Sequence, residues 1–376
     1  MYMQRGMYPR SADRRIVDRG ADRRDGYRRF DGYDELKPLL EGTASDADVL
    51  AALGEPTLIR IPATTTASAA PRARFVSCLL HGNEPSGFRA MMDVLRRGER
   101  FPFDLWVLIG NVRAALADGL FAHRHLDGQD DFNRVWGVAS PSSELQRSAA
   151  AIVDVLRTAD LEAAIDLHNN TGRNPYYAIV TEQTVAGRHL AALCADTVLL
   201  WGQSMHTLME VLAPRCPAVS VECGAAHLSS GTAYAASVVH RFLTAEGFDT
   251  AAGVNGHAAA ARMVEIGYRV TVRPEVDFSF GAPANGDTPQ LAVVPGLDTY
   301  NFATLPAHHP IGHVEPGAPM PLRATDGTGA DVTDQLFRIT PAGDVVVTHA
   351  VTPIMMTTSV QQTRRDCLFY TALPVR

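Results

Sequence analysis

The stretch Leu79-Leu80-His81-Gly82-Asn83-Glu84-Pro85 joins an apolar run to a glycine-containing turn and a proline suited to a first helical turn. His81 and Glu84 would then stand together at the carboxyl end of a strand, where open α/β sheets place their ligand sites. An imidazole nitrogen and a carboxylate oxygen are both ligand types that Zn²⁺ accepts. With 13 histidines and 14 glutamates in 376 residues, about 0.5 His-x-x-Glu matches are expected by chance. The chain has one, so the strand–turn–helix context carries most of the weight.

A third ligand is required, because catalytic zinc sites commonly combine two histidines, one carboxylate and an open position. His168, in Ala164-Ile165-Asp166-Leu167-His168-Asn169-Asn170, again ends an apolar run, 84 positions beyond Glu84. Asp166 lies two residues earlier, on the same face of that strand, where it can orient a ligand histidine as a hydrogen-bond acceptor. A water activated at such a metal needs a base, and Ala218-Val219-Ser220-Val221-Glu222 is an apolar strand ending in a carboxylate at the same sheet edge. Arg113, in Gly110-Asn111-Val112-Arg113-Ala114, follows another strand and suits a developing oxyanion. Asp131-Phe132-Asn133-Arg134 offers an amide and a guanidinium side by side, a natural clamp for a substrate carboxylate.

These residues need a scaffold of alternating strands and helices, and the chain supplies one from about residue 34. Leu58–Ile61, Phe75–Leu80, Asp104–Ile109, Ala163–Leu167, Tyr176–Val180 and Ala218–Val221 read as short buried strands. Helical spacing recurs from the turn after Leu80 through Arg97, over Ser142–Arg157 behind the start signals Pro141, Ser142 and Ser143, over Val185–Thr197, and over Thr232–Thr244. The expected fold class is α/β: a mixed, mainly parallel sheet flanked by helices. From Arg262 onward Pro, Gly, Val and Thr dominate, with short alternating runs such as Tyr268–Val272 and Asp344–His349. The boundaries expected are a catalytic domain over 34–256 and a β-rich domain over 257–376. The first 29 residues hold nine arginines and four aspartates with few aliphatic groups, so 1–33 is expected to be a disordered arm.

Composition narrows the function further. Thirty-four basic and 41 acidic residues leave a net charge of −7, which argues against a nucleic-acid partner. No apolar run reaches the ~18 residues of a membrane span, and the first residues lack the apolar core of a secretory signal. Five scattered cysteines form no CxxC pair, so the expectation is a cytoplasmic protein without a disulfide framework or cysteine zinc site. The oligomeric state is not fixed by the sequence, and a homo-oligomer is compatible with it.

Taken in order, His81-Gly82-Asn83-Glu84, Asn111-x-Arg113-Ala114, Asp131-Phe132-Asn133-Arg134, Asp166-Leu167-His168-Asn169 and Val221-Glu222-Cys223-Gly224 resemble the succinylglutamate desuccinylase/aspartoacylase family, which has the zinc carboxypeptidase-like fold. The similarity runs from about residue 50 to the end and includes Pro316-Gly317-Ala318-Pro319, which resembles the start of that family's C-terminal β domain. The resemblance implies one zinc ion per chain on His81, Glu84 and His168, Glu222 as general base, Arg113 polarising the scissile carbonyl, and Asn133 with Arg134 holding a substrate carboxylate. Aspartoacylases carry a further arginine about ten residues before the catalytic glutamate; here that stretch reads Met209-Glu210-Val211-Leu212, and Arg215 is only seven residues before Glu222. Their C-terminal tyrosine also has no counterpart in Met355–Gln362. Arg173, in Thr171-Gly172-Arg173-Asn174, is the candidate substitute for binding an anion.

The leading expectation is therefore an amidohydrolase acting on a small, carboxylate-bearing N-acyl amino acid or related amide. A carboxypeptidase-like peptidase would use the same residues, and a metal-dependent binding module without turnover is a third reading. A cleft roofed by the C-terminal domain favours small substrates; an open groove favours peptides. His123 and His125, and the group His308, His309 and His313, are read as loop residues, and Cys78 and Cys223 as small apolar neighbours of the site.

Overall fold

The computed structural model describes residues 22–24, 26–42, 45–64, 72–249, 261–281 and 289–375. Its strands are β1 (Asp22–Arg24), β2 (Tyr27–Asp31), β3 (Thr57–Ile61), β4 (Ala73–Cys78), β5 (Asp104–Ile109), β6 (Leu161–Asn170), β7 (Tyr177–Val180), β8 (Thr197–Leu200) and β9 (Ala218–Ala225). The C-terminal part adds β10 (Arg262–Val272), β11 (Phe278–Phe280), β12 (Leu291–Val293), β13 (Pro310–His313), β14 (Leu322–Thr325), β15 (Phe337–Ile339), β16 (Asp344–Val347), β17 (Thr352–Ile354) and β18 (Phe369–Pro374). One large mixed sheet runs β1-β2-β3-β5-β4-β6-β9-β7-β8-β10-β18-β17, with β14 on β10. A smaller sheet runs β11-β12-β13-β16-β15.

The centre of the large sheet is parallel, β5-β4-β6-β9, and is covered on both faces by helices, so its strands are near-continuous apolar runs. All six residues of β4 and all six of β5 are buried. Period-2 alternation sorts them between two cores. Val76, Cys78, Val107, Ile165 and Val221 face the layer of helices Pro85–Arg97, Val185–Cys194 and Ser229–Thr244. Phe75, Trp106, Leu108 and Ala164 face the helix Glu144–Arg157 together with Phe132 and Trp136. That helix starts at a capping box, Ser143 with Gln146, the pattern that satisfies its first backbone N–H groups. A third core fills the space between the small sheet and its neighbours around Val270, Ile311, Leu336 and Val345.

The α/β class expected from the sequence is the observed one, but two borders differ. Residues 27–31, expected within a disordered arm, form β2 instead, parallel to β3, with Tyr27 and Phe30 buried. Arginines hid this strand: the Arg28 stem is buried while its guanidinium donates to the Ala52 carbonyl at 2.9 Å. Residues 1–21 of that expected arm lie outside the described residues. The compositional break near residue 256 is not a break in the sheet. β10 pairs parallel with β8 on one edge and antiparallel with β18 on the other, so 257–376 contributes to both sheets. Local texture reports composition, whereas sheet membership depends on partners far away in sequence. No helix among the described residues is long and apolar enough to cross a membrane.

Helix Pro85–Arg97 lies so close to the sheet that Gly87 has no room for a side chain: a Cβ there would come within 2.5 Å of Leu167 Cβ and 3.0 Å of Cys78 Cβ. Gly87→Ala should therefore force the helix off β4 and β6 and cost about 1–3 kcal/mol. A urea midpoint unchanged from wild type would show that the contact yields without strain.

Candidate active site

The parallel register of β4, β6 and β9 sets the site. Cys78 is level with Leu167, and His168 is level with Glu222. Leu79 takes a positive φ of 58° at the end of β4, turning the chain toward His81. Gly82 lets this turn settle on the helix Val112–Leu116, since a Cβ would lie 2.5 Å from the Ala115 nitrogen. Glu84 occupies the cap position of helix Pro85–Arg97 but makes no side-chain cap. Its carboxylate lies between the two histidines instead: Oε1 is 2.8 Å from His81 Nδ1, and Oε2 is 2.7 Å from His168 Nδ1. The Asn169 backbone N–H donates to the same Oε2 at 3.2 Å.

Each histidine is anchored through its other ring nitrogen. His81 Nε2 is 3.1 Å from Asp131 Oδ1, and His168 Nε2 is 2.6 Å from Asp166 Oδ2. Ser77 donates to the second Asp166 oxygen at 2.7 Å. Carboxylates placed behind both imidazoles fix ring orientation and leave the Nδ1 atoms facing Glu84, the arrangement metal-binding histidines adopt. His81, Glu84 and His168 each offer a ligand atom, all lying within 4.8 Å of one another and all in buried residues. Burial works to raise the Glu84 carboxyl, but the imidazoles of His81 and His168 hold it well below the usual carboxylate range. Asp131 is likewise held low against its burial by His81 and Arg124, while His168, despite burial, is raised well above the ordinary imidazole value by Asp166 and Glu84. Four carboxyl groups, those of Glu84, Asp131, Asp166 and Glu222, converge on two imidazoles and the Arg124 guanidinium. That surplus of acidic groups, together with the nitrogen and oxygen donor set, suits a divalent cation.

Glu222 feels the charges of this network without hydrogen-bonding into it. It is buried, and its Oε2 has no hydrogen-bond partner among the described residues. Burial pushes its carboxyl up to about 7, with His168 pulling it down and Glu84 pushing it up. A carboxyl poised there can both take and give a proton near neutrality. Together with the histidines it lines a cavity whose opposite wall is C-terminal: Met355, Gln362, Asp366, Cys367 and Tyr370. The buried Cys78 and Cys223 thiols are pushed up by desolvation and lie outside the cavity lining.

Not every expected residue is brought here. Arg113 does not reach the cavity; it sits on the helix Val112–Leu116, 45% exposed, paired with Glu144 at 2.8 Å. An unexpected arginine in the cavity is Arg124, which donates through Nε and Nη2 to Asp131 at 3.0 and 2.9 Å and brings Nη1 to 3.6 Å from Glu84. Sequence reading passed it over as part of the His123-Arg124-His125 loop. Its signal was position alone, seven residues before Asp131. Arg173 is also misplaced as an anion partner: it is 72% exposed, turned toward Asp298, and absent from the cavity lining. Asn133 lines the cavity, with Oδ1 accepting from the Leu208 N–H at 3.1 Å; its Nδ2 lies 3.2 Å from His168 Nε2, which is already bonded to Asp166, so the Asn133 amide N–H groups stay available to a ligand. Arg134 donates to the Asn133 carbonyl at 2.8 Å and keeps further N–H groups for a ligand. Arg215 spends its guanidinium on the Leu156, Arg157 and Ala159 carbonyls.

No family model matches the chain, and no curated protein sequence matches it significantly. Solved structures do. The succinylglutamate desuccinylase/aspartoacylase from Rhodobacter sphaeroides is similar at 13% identity and a TM-score of 0.51, over 85% of this chain and 90% of that one. The succinylglutamate desuccinylase from Vibrio parahaemolyticus is similar at 13% identity and a TM-score of 0.52, over 85% and 86%. The ectoine utilization protein EutE (DoeB) from Ruegeria pomeroyi is similar at 15% identity and a TM-score of 0.51, over 84% and 88%.

If His81, Glu84 and His168 hold the metal, elemental analysis should find one divalent ion per chain and none retained after His168→Ala. Asp166→Asn, which weakens only the hold on the His168 ring, should cost about 10–100-fold in metal affinity. Unchanged affinity in both variants would place the metal elsewhere. The chain has the fold of the solved succinylglutamate desuccinylase/aspartoacylase structures.

Proposed function

We propose that this protein is a zinc-dependent amidohydrolase that removes the acyl group from a small N-acyl amino acid or similar carboxylate-bearing amide. One observation carries the reading. A His–Glu–His donor set and a buried, unpartnered carboxylate occupy neighbouring strands at the same level, His168 beside Glu222, in one cavity. The names borne by the fold neighbours, desuccinylase and aspartoacylase, point to the same chemistry.

His81, Glu84 and His168 would hold a zinc ion, which when bound would supply Lewis-acid polarisation and lower the pKa of a water toward ~7. Glu222 takes the proton from the attacking water and hands it to the departing nitrogen, its Oε2 having no other hydrogen-bond partner among the described residues. Arg124, fixed by Asp131, directs Nη1 into the cavity, where it stabilises negative charge growing on the carbonyl oxygen. Asp131 and Asp166 hold the histidine rings. Arg134 and the Asn133 amide N–H groups bind the substrate carboxylate, while Asn133 Oδ1 holds the start of the Leu208 helix. The unpartnered Glu222 carboxylate oxygen weighs against a binding module without turnover.

Glu222→Gln should leave zinc content near wild type while kcat falls by about 100-fold or more. Loss of zinc along with activity would make Glu222 a ligand; retained activity would overturn the mechanism. Arg124→Ala should lower kcat/KM strongly, whereas Arg113→Ala, at the surface, should leave it within about twofold of wild type. The reverse order would restore Arg113 to the chemistry. Arg134→Ala should weaken turnover of a carboxylate-bearing amide far more than that of its neutral analogue, and an equal loss for both would make Arg134 structural.

A further inference from the structure

The strands that carry His168 and Glu222 fall out of step just past those residues. His168 is level with Glu222, but Asn170 is level with Ala225, so Asn169 alone stands against both Cys223 and Gly224. β9 therefore holds one extra residue, a bulge, directly after Glu222. Bulges bend a strand and re-aim the side chains beside them. Gly224 takes a positive φ of 75° there, and the Tyr176 ring lies against it, 2.9 Å from where a Cβ would stand. Tyr176 in turn stacks on Tyr234 at 3.8 Å between ring centroids. From the helix Ser229–Thr244, Gly231 abuts the Cys223 carbonyl, which a Cβ would meet at 2.7 Å.

Asn169 spans the distance between this bulge and the turn that bears Glu84. It is buried, and its Nδ2 donates to the Gly224 carbonyl at 2.8 Å and to Ser86 Oγ at 2.9 Å. Its Oδ1 accepts from the Ser86 backbone N–H at 3.1 Å, two residues past Glu84, and its own backbone N–H donates to Glu84 Oε2. The partners fix the amide's orientation, because a backbone N–H can only donate and a carbonyl can only accept. With both amide hydrogens spent, Asn169 has no donor left for a substrate, although it lines the cavity. What it holds is the Glu84 turn on one side and the chain two residues past Glu222 on the other.

We propose that Asn169 is a positioning residue for Glu222: by holding the Gly224 carbonyl it locks the bulge that aims the Glu222 carboxylate into the cavity, and through Ser86 it keys that aim to the turn bearing Glu84. A bulge disrupts the ladder around its extra residue, so a carbonyl there needs a donor from elsewhere, and Nδ2 supplies it. No hydrogen bond at Oε2 steadies the Glu222 carboxylate, so its aim rests on the backbone beneath it. The brace and the bulge stand on the structure by itself; the role of Glu222 as a base rests on the deacylase reading above.

Crystal structures and kinetics of the zinc-loaded protein test it. Asn169→Ala removes the brace; Asn169→Asp keeps its shape and an acceptor for the Ser86 N–H, but as a carboxylate it cannot donate to the Gly224 carbonyl. In both variants the Glu222 carboxylate should be displaced by about 1 Å or more, a misplacement that costs about 100-fold in rate. His81, Glu84 and His168 should stay in place, with one zinc ion retained. On an N-acyl amino acid that the wild type hydrolyses, kcat should fall about 10- to 100-fold while KM stays within about threefold. Added to Glu222→Gln, the same substitutions should lower kcat by less than about twofold more, because the group they misplace is already gone. Ser86→Ala, which removes one acceptor and leaves the Gly224 bond, should stay within about threefold of wild type. An unmoved Glu222 in both variants, equal losses in both backgrounds, or a loss in Ser86→Ala as large as in Asn169→Ala would overturn the proposal. Displacement of Glu222 in a protein whose wild type hydrolyses no N-acyl amino acid would support the positioning role and overturn the deacylase reading.

Discussion

The Glu84 carboxylate between two imidazoles is the interaction on which the site depends. A buried carboxylate is costly unless it is paired and hydrogen-bonded, and this one contacts His81, His168 and the Asn169 N–H at once. One contact comes from the turn after β4 and two from the end of β6, so the carboxylate ties that turn to β6. Glu84 pays for this by leaving its own helix without a side-chain cap. The outer carboxylates Asp131 and Asp166 then keep the rings from turning away, and Arg124 and Ser77 keep those carboxylates in place. Polar networks of this kind hold a single geometry only when every member is satisfied.

Against that closed network, the groups left unsatisfied stand out. Glu222 has an oxygen with no hydrogen-bond partner among the described residues beside the metal-ligand triad, and Asn83 and Asn170, which line the same cavity, carry unpartnered amide atoms.

The C-terminal segment contributes to the lining of this space. Met355, Gln362, Cys367 and Tyr370 reach the cavity because β10, β17 and β18 extend the large sheet beyond β8 instead of forming a body of their own. Tyr370 packs on Trp201, and Phe302 packs on Tyr177 at 4.7 Å between ring centroids. The wall that shapes the substrate space is thereby continuous with the sheet that carries Glu222.

The sequence by itself determined the central strands, the flanking helices and the residues at the strand ends. Apolar runs such as Phe75–Leu80 and Ala218–Val221 are local signals, and period-2 alternation already put Asp166 and His168 on one face. Side chains placed by their own strand or turn, His81, Glu84, His168 and Glu222, were therefore legible. The tertiary structure alone decided between arginines. Arg113 and Arg124 lie in similar polar company along the chain, and only the path of the loop after the helix Val112–Leu116 turns one outward to Glu144 and the other inward to Asp131. It likewise decided that Arg28 belongs to a strand, that β10 continues the large sheet, and that Trp201 and Thr181 face a cavity. Each of these depends on a partner distant in sequence, and pairing at a distance leaves no periodic trace in the residues it joins.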